Sequence, residues 1–281
     1  MNSDQTKSKI ALIVCYIGTL PWYFQYFVHT CRYNSTIDFY IITDDTVSLS
    51  LPDNVVIVPK SLQEINALAS ERLGFKTDIR TPYKLCDFKP TFGLLFSELI
   101  HDYDFWGYCD LDVVFGDIRS FITENILEKY DVISVRHDFL TGFFQVYRNV
   151  EKMRLLFMQS RDHQRVLESS IHSCFDETNF QFEAFAAGVR EDKIHSDVDS
   201  MMHVVKRMES HGYLRAFFDF MIIEGIPGHI KWSNGKLVYR RKYEILLYHM
   251  IHFKKKYSRS KHVRSLAGGF TISTNRIYHL T

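Results

Sequence analysis

Two carboxylates one residue apart interrupt an apolar run: residues 105 to 117 read FWGYCDLDVVFGD, with Asp110 and Asp112 at its break. A short apolar run bounded by polar residues is the pattern of a strand buried on both faces. In extended chain, residues i and i+2 point to the same side, so both carboxylates leave the strand end together. Paired hard oxygen donors suit Mg²⁺ or Mn²⁺, ions that keep coordination positions open for substrate phosphate. The spacing recurs at Asp102 and Asp104, and at Asp197 and Asp199. The first pair flanks the turn into the strand. The second opens an amphipathic segment, where Asp serves as N-cap or first-turn residue. Asp110 and Asp112 have no such local service, and ligands of open α/β sheets bind at the C-terminal ends of strands.

A third metal ligand has to come from elsewhere in the chain. His249 and His252 follow an apolar run and precede Lys254, Lys255 and Lys256; a neutral imidazole binds Mn²⁺, and nearby ammonium groups offset phosphate charge. Spacing does not choose between the two histidines, and both also read as surface residues on a basic segment. No G-x-x-x-x-G-K-[ST] loop and no G-x-G-x-x-G turn is present, so a bound diphosphate would be held by a metal and by lysines. Lys84 and Lys89, interleaved with Asp87 and aromatics in PYKLCDFKP, are the nearest lysines before the acidic strand. Asp176 and Glu177 sit among aromatics in CFDETNF, where apolar walls raise a carboxyl pKa; an N-cap with its first-turn acid explains them equally well. Thr141 and Gly142, in RHDFLTGFF, offer either a close backbone approach to a ligand or a tight turn between strands.

These residues need a scaffold. Residues 10–16, 37–43 and 55–58 read as buried strands, with a helix over 22–32 between the first two. That alternation predicts an α/β fold with a mostly parallel central sheet flanked by helices. Residues 60–86 read as helix and loop, and 90–101 as a helix with Phe92, Leu95, Phe96 and Leu99 on one stripe. Helices are expected over 118–127, 150–161 and 198–210, and strands over 131–135, 143–147 and 243–248. With 281 residues, 46% of them hydrophobic, the chain can bury one large core, and a net charge of +1 gives no bias toward nucleic acid. The five scattered cysteines lack C-x-x-C spacing, which argues against a disulfide framework or a structural zinc site. One domain over 1–253 with a basic extension over 254–281 is the simplest division.

The blocks KLCDFKPTFG (84–93), DFWGYCDLDVVFGDI (104–118), HDFLTGFFQVYRN (137–149) and HFKKK (252–256) resemble glycosyltransferases of the GT-A fold. The likeness is strongest to a group of bacterial proteins related to capsule and lipopolysaccharide sugar transferases. It implies metal-dependent transfer of a sugar from a nucleoside-diphosphate sugar to a glycan or lipid-linked acceptor, in surface polysaccharide biosynthesis. It implies a metal site of Asp110, Asp112 and, by similarity to a late His-Phe-x-Gly-x-Lys element of the retaining galactosyltransferase type, His252, with Lys255 on the diphosphate. The glycine of that element is absent here. The resemblance further implies Tyr16 and Asp44 near base and ribose, Lys84, Asp87, Lys89, Asp110, Thr141 and Gly142 around the donor, and Asp176 with Glu177 near the reacting sugar. Retention or inversion stays open. A haloacid dehalogenase-type phosphohydrolase with Asp110 as nucleophile, and a non-catalytic sugar-nucleotide-binding protein, are the alternatives. A cytoplasmic protein in peripheral contact with the inner membrane through the basic residues 254–264 is expected, since polybasic segments are drawn to anionic lipid.

Overall fold

Unbroken apolar character makes strands that must be covered on both faces. In the computed structural model, which describes residues 7–219, 222–257, 266 and 268–280, β1 (Ile10–Cys15) and β4 (Phe105–Cys109) are such strands, and β2 (Ile37–Thr43) and β3 (Val55–Pro59) lie beside them toward an edge where Val56 is exposed. They continue with β5 (Val113–Phe115), β6 (Val132–Ser134), β7 (Phe144–Arg148), β8 (Ala216–Phe218) and β9 (Ile222–Glu224). The chain then forms β10 (Ile230–Ser233), β11 (Lys236–Tyr239), β12 (Tyr243–Glu244), β13 (Leu247–His249), β14 (Phe270–Ile272) and β15 (Ile277–His279).

The central sheet runs β3-β2-β1-β4-β7-β6-β8. It is mostly parallel: β7 alone among these strands runs against its neighbours, β4 and β6. Alternation splits its side chains between two cores. Leu12, Val14, Phe105 and Cys109 face one, with the helix Phe24–Arg32; Ala11, Ile13, Trp106 and Tyr108 face the other, with the helix Leu62–Leu73. Gly107 lets β4 and β7 close together, because a Cβ there would stand 2.1 Å from the Gln145 carbonyl oxygen. The helix Leu62–Leu73 starts on a capping box of Ser61 and Glu64 and stops at Gly74 in left-handed conformation.

Two smaller sheets complete the structure. The antiparallel order β12-β11-β10-β14-β15 covers the first core with Ile230, Trp232, Leu237 and Phe270. The order β5-β13-β9 is the one that matters for the site. In it Val113 is opposite His249, and His249 is opposite Glu224. Val113 follows Asp112 directly, so this register carries His249 and Glu224 to the acidic pair.

The α/β class and its mostly parallel sheet agree with the sequence expectation; several elements do not. The helix expected over 90–101 is instead broken into Lys89–Thr91, Phe92–Leu95 and turns over 96–99, and it follows two further short pieces, Pro82–Lys84 and Leu85–Phe88. Gly93 packs directly under the Trp106 ring, where a Cβ would stand 2.5 Å from the indole. The segment 118–127 divides into Ile118–Phe121 and Glu124–Lys129, and 150–161 into Glu151–Arg154 and Leu156–Gln159. The run 243–248 splits between two sheets, as β12 and β13. Of the expected extension, β14 pairs with β10 and β15 pairs with β14, while residues 258–265 of the basic segment lie outside the described residues. Among the described residues no helix is long and apolar enough to cross a membrane.

Candidate active site

The acidic pair emerges where β4 ends at the middle of the central sheet. The Asp110 amide donates to the Phe143 carbonyl at 3.1 Å, and the Asp112 carbonyl accepts from the Met250 amide at 2.8 Å. Leu111 between them points into the core. The Asp110 side chain is 37% exposed and that of Asp112 4% exposed. Their oxygens open onto a cleft of about 450 Å³ lined by Tyr16, Tyr23, Tyr83, Cys86, Lys89 and Lys254.

Asp110, Asp112 and His249 each offer one ligand atom, all within 4.8 Å of one another. Ligands on one ion at about 2.1 Å lie about 3 Å apart when adjacent and about 4 Å apart across it, so a small inward shift of this set would close it on a single small divalent ion. Two carboxylate oxygens and an imidazole nitrogen match Mn²⁺ or Mg²⁺ chemistry. His249 Nε2 lies 3.3 Å from Asp112 Oδ2, and its Nδ1 is 2.9 Å from Glu224 Oε1. A carboxylate on the far ring nitrogen is how metal-bound histidines are oriented. Arg136 holds Glu224 and Asp138 together, and the Phe143 ring stacks on His249 at 4.1 Å. Burial alone would lower the His249 pKa; hydrogen bonds to Asp112 and Glu224 outweigh it and raise it to about 9. Burial likewise works against the Asp112 anion, but His249 and Lys254 hold its pKa well below the carboxylate range.

Two ammonium groups reach the pair. Lys254 Nζ is 2.6 Å from Asp112 Oδ2. Lys89 Nζ donates to Asp110 Oδ1 at 2.7 Å and to the Gly142 carbonyl at 2.7 Å, and lies 3.9 Å from Asp176 Oδ2. Burial opposes its charge, yet Asp110 keeps the Lys89 pKa well above its ordinary value. Lys89 therefore bridges Asp110 to Asp176, the neighbour of Glu177. Burial pushes both of these carboxyls up. Glu177 accepts from the Gly142 amide at 2.6 Å, and a Cβ on Gly142 would stand 2.6 Å from Asp176 Oδ2.

The remaining sequence candidates separate into those at the cleft and those away from it. Tyr16 lines it. Asp44 accepts from the Gly18 amide at 2.7 Å and so shapes the loop after β1. The Thr141 hydroxyl donates to the Phe144 carbonyl at 2.6 Å. Lys84 and Asp87, expected on the donor, form an ion pair at 2.8 Å with both side chains 0% exposed. Lys84 also donates to the Val166 and Ile171 carbonyls, and Asp87 accepts from the Ser173 and Phe175 amides. They brace the loop that carries Asp176 and Glu177 and present nothing to the cleft. His252 is exposed at the start of the helix Phe253–Lys256, outside the ligand group, and Lys255 is exposed on that helix. The pairing of β13 brings His249, not His252, against Asp112, and from the helix Phe253–Lys256 it is Lys254, not Lys255, that reaches the same carboxylate.

A family model described as "Family of unknown function (DUF6625)" matches residues 12–281. The chain belongs to that family. No curated protein matches it. Similar solved structures include an active-site mutant of LgtC, at TM-score 0.37 and 10% identity over 76% of this chain and 75% of that one. The galactosyltransferase LgtC in complex with donor and acceptor sugar analogs has TM-score 0.32 and 8% identity, over 76% and 75%. The mannosyltransferase Ktr4p from S. cerevisiae has TM-score 0.29 and 12% identity, over 46% and 39%. At these TM-scores the likeness carries no argument about activity.

Within this DUF6625 chain, Glu224, Arg136 and Tyr23 are site residues that sequence reasoning missed. Glu224 stands in a three-residue strand without a motif, 25 residues before its partner His249. Its signal exists only in the register of the small sheet.

Proposed function

We propose that this protein transfers a sugar from a nucleoside-diphosphate sugar to a glycan or lipid-linked acceptor, with Mn²⁺ or Mg²⁺ held by Asp110, Asp112 and His249. One observation carries the reading: three ligand atoms converge within 4.8 Å at the C-terminal end of a central strand, in a cleft that two lysines also line. When bound, the ion would act as a Lewis acid on the departing diphosphate, a contribution of several kcal/mol. Asp110 and Asp112 would hold it from the sheet side, and Glu224 would keep the His249 ring turned toward it. Lys89 and Lys254 add positive charge where the leaving group gathers negative charge. Tyr16 and the loop shaped by Asp44 offer the walls for base and ribose.

Across Lys89, Asp176 and Glu177 are the carboxyls available on the sugar side. Asp176 is 2% exposed and tied to Lys89, whereas Glu177 is half-buried. In an inverting reaction Glu177 is the better placed of the two to take the acceptor proton; in a retaining one it would face the developing positive charge of the sugar. The chemistry fits surface polysaccharide assembly, at the cytoplasmic side of a membrane.

Incubating the protein with a panel of nucleoside-diphosphate sugars and Mn²⁺, and following nucleoside diphosphate release, tests this. Release with at least one donor, abolished by EDTA and by Asp110→Asn, is the expected result. Absence of release, together with no Mn²⁺-dependent binding of UDP or GDP in calorimetry, would refute it.

A further inference from the structure

Asp112 Oδ2 has two nitrogen neighbours, Lys254 Nζ at 2.6 Å and His249 Nε2 at 3.3 Å. An ion held by Asp112 and His249 must come within about 2.1 Å of this carboxylate. An ammonium group paired with the same oxygen at 2.6 Å would then stand next to a divalent cation, inside a site with little water to screen them. The two cannot share Asp112 without strong repulsion.

The two lysines of the cleft differ in how they are tied. Lys89 is 9% exposed and has Gly142 and Asp176 as partners besides Asp110. If an ion takes Asp110, the Lys89 ammonium keeps two of its contacts. Lys254 is 29% exposed, and among the described residues Asp112 is its one ion-pair partner. Its backbone is fixed, with its amide donating to the Met250 carbonyl at 2.9 Å. Its ammonium sits 5.9 Å from the Tyr23 ring centre, so the head can turn within the cleft while the helix Phe253–Lys256 stays in place.

We infer that Lys254 is an exchangeable counter-cation: it holds Asp112 until a divalent ion takes that carboxylate, and then turns to the diphosphate of the donor in the same cleft. This rests on the metal-dependent reading above and adds a coupling to it. A diphosphate that draws Lys254 away frees Asp112 for the ion, and an ion that takes Asp112 frees Lys254 for the diphosphate. Linkage makes the two effects equal.

The sign of one measurement separates this from an ordinary substrate-binding lysine. Mn²⁺ binding is followed by electron paramagnetic resonance of the free ion, at fixed pH, with and without inorganic pyrophosphate as the probe for the diphosphate. Lys254→Met keeps the stem and removes the charge. It should bind Mn²⁺ more tightly than wild type without pyrophosphate, on the order of tenfold or more. The enhancement of Mn²⁺ affinity by pyrophosphate should be smaller in the variant than in wild type. Lys254→Arg, which keeps the charge, should stay close to wild type. Lys254→Gln carries the same expectation as Lys254→Met should the latter not fold, as judged by thermal unfolding. Equal or weaker Mn²⁺ binding by the uncharged variants, with wild type binding and Asp112→Asn not binding, overturns the exchange role and leaves the metal site standing. If neither wild type nor the uncharged variants bind Mn²⁺ under either condition, both fall.

Discussion

Removing the Asp87 carboxylate distinguishes a structural brace from a donor contact. Asp87 Oδ2 accepts from Lys84 Nζ at 2.8 Å and from the Ser173 amide at 2.8 Å, and Oδ1 accepts from the Phe175 amide at 2.9 Å. In Asp87→Ala the Lys84 ammonium would keep only the Val166 and Ile171 carbonyls, at 2.8 and 2.7 Å, with no counter-charge. Breaking a fully buried pair from one side costs about 3–5 kcal/mol. Two orphaned amides add to this, at about 1–3 kcal/mol each before relaxation. A total of at least about 5 kcal/mol is a large part of the roughly 5–15 kcal/mol that holds a domain folded. Urea denaturation should therefore show Asp87→Ala strongly destabilised, and the double variant Lys84→Met with Asp87→Leu less so, because no lone charge remains. The pH dependence has a definite sign. Burial would raise the Asp87 pKa, but His172 and Lys84 hold it below the usual carboxylate range. Its contribution is thus complete above its unfolded pKa of about 3.9 and is lost as pH falls through the lower folded value. An Asp87→Ala protein within about 1 kcal/mol of wild type, but with weakened nucleotide binding, would refute the brace and restore the donor contact.

Asp112→Asn should lower donor turnover by about a hundredfold or more in the nucleoside diphosphate release assay, since it removes a ligand from the ion that stabilises the leaving group. Glu224→Ala should weaken Mn²⁺ binding by about 10–100-fold in a titration followed by electron paramagnetic resonance, because the His249 ring loses the carboxylate on its Nδ1. Gly142→Ala should destabilise by about 1–3 kcal/mol in denaturation and lower turnover, as its Cβ would stand 2.6 Å from Asp176 Oδ2 and 3.2 Å from Glu177 Cδ.

How much could be read in advance follows from the range of the forces involved. The long apolar runs of β1, β2 and β4 announce strands by themselves, because a stretch without polar residues has to be covered on both faces. The helix 90–101 misled for a similar reason: its apolar stripe is real, but only Phe92 and Leu95 lie on a helical turn, with Gly93 against Trp106, and Phe96 is buried from the turns that follow. A stripe reports burial, not continuity. In the same way the interleaved Lys84, Asp87 and Lys89 show charges among aromatics without saying which of them open to solvent.

What the sequence determined alone is local: the strand that ends at Asp110 and Asp112, the same-side placement of their carboxylates, and the α/β alternation that puts such an end at a ligand-binding edge. What the tertiary structure decided is every pairing across distance. His249 rather than His252 beside Asp112, and Glu224 at all, follow from a ladder in which Val113, His249 and Glu224 are neighbours, and Lys254 rather than Lys255 reaches Asp112 from the short helix after it. Strand periodicity says which way a side chain points, but the partner and register of a strand are settled by long-range burial, which no local pattern encodes.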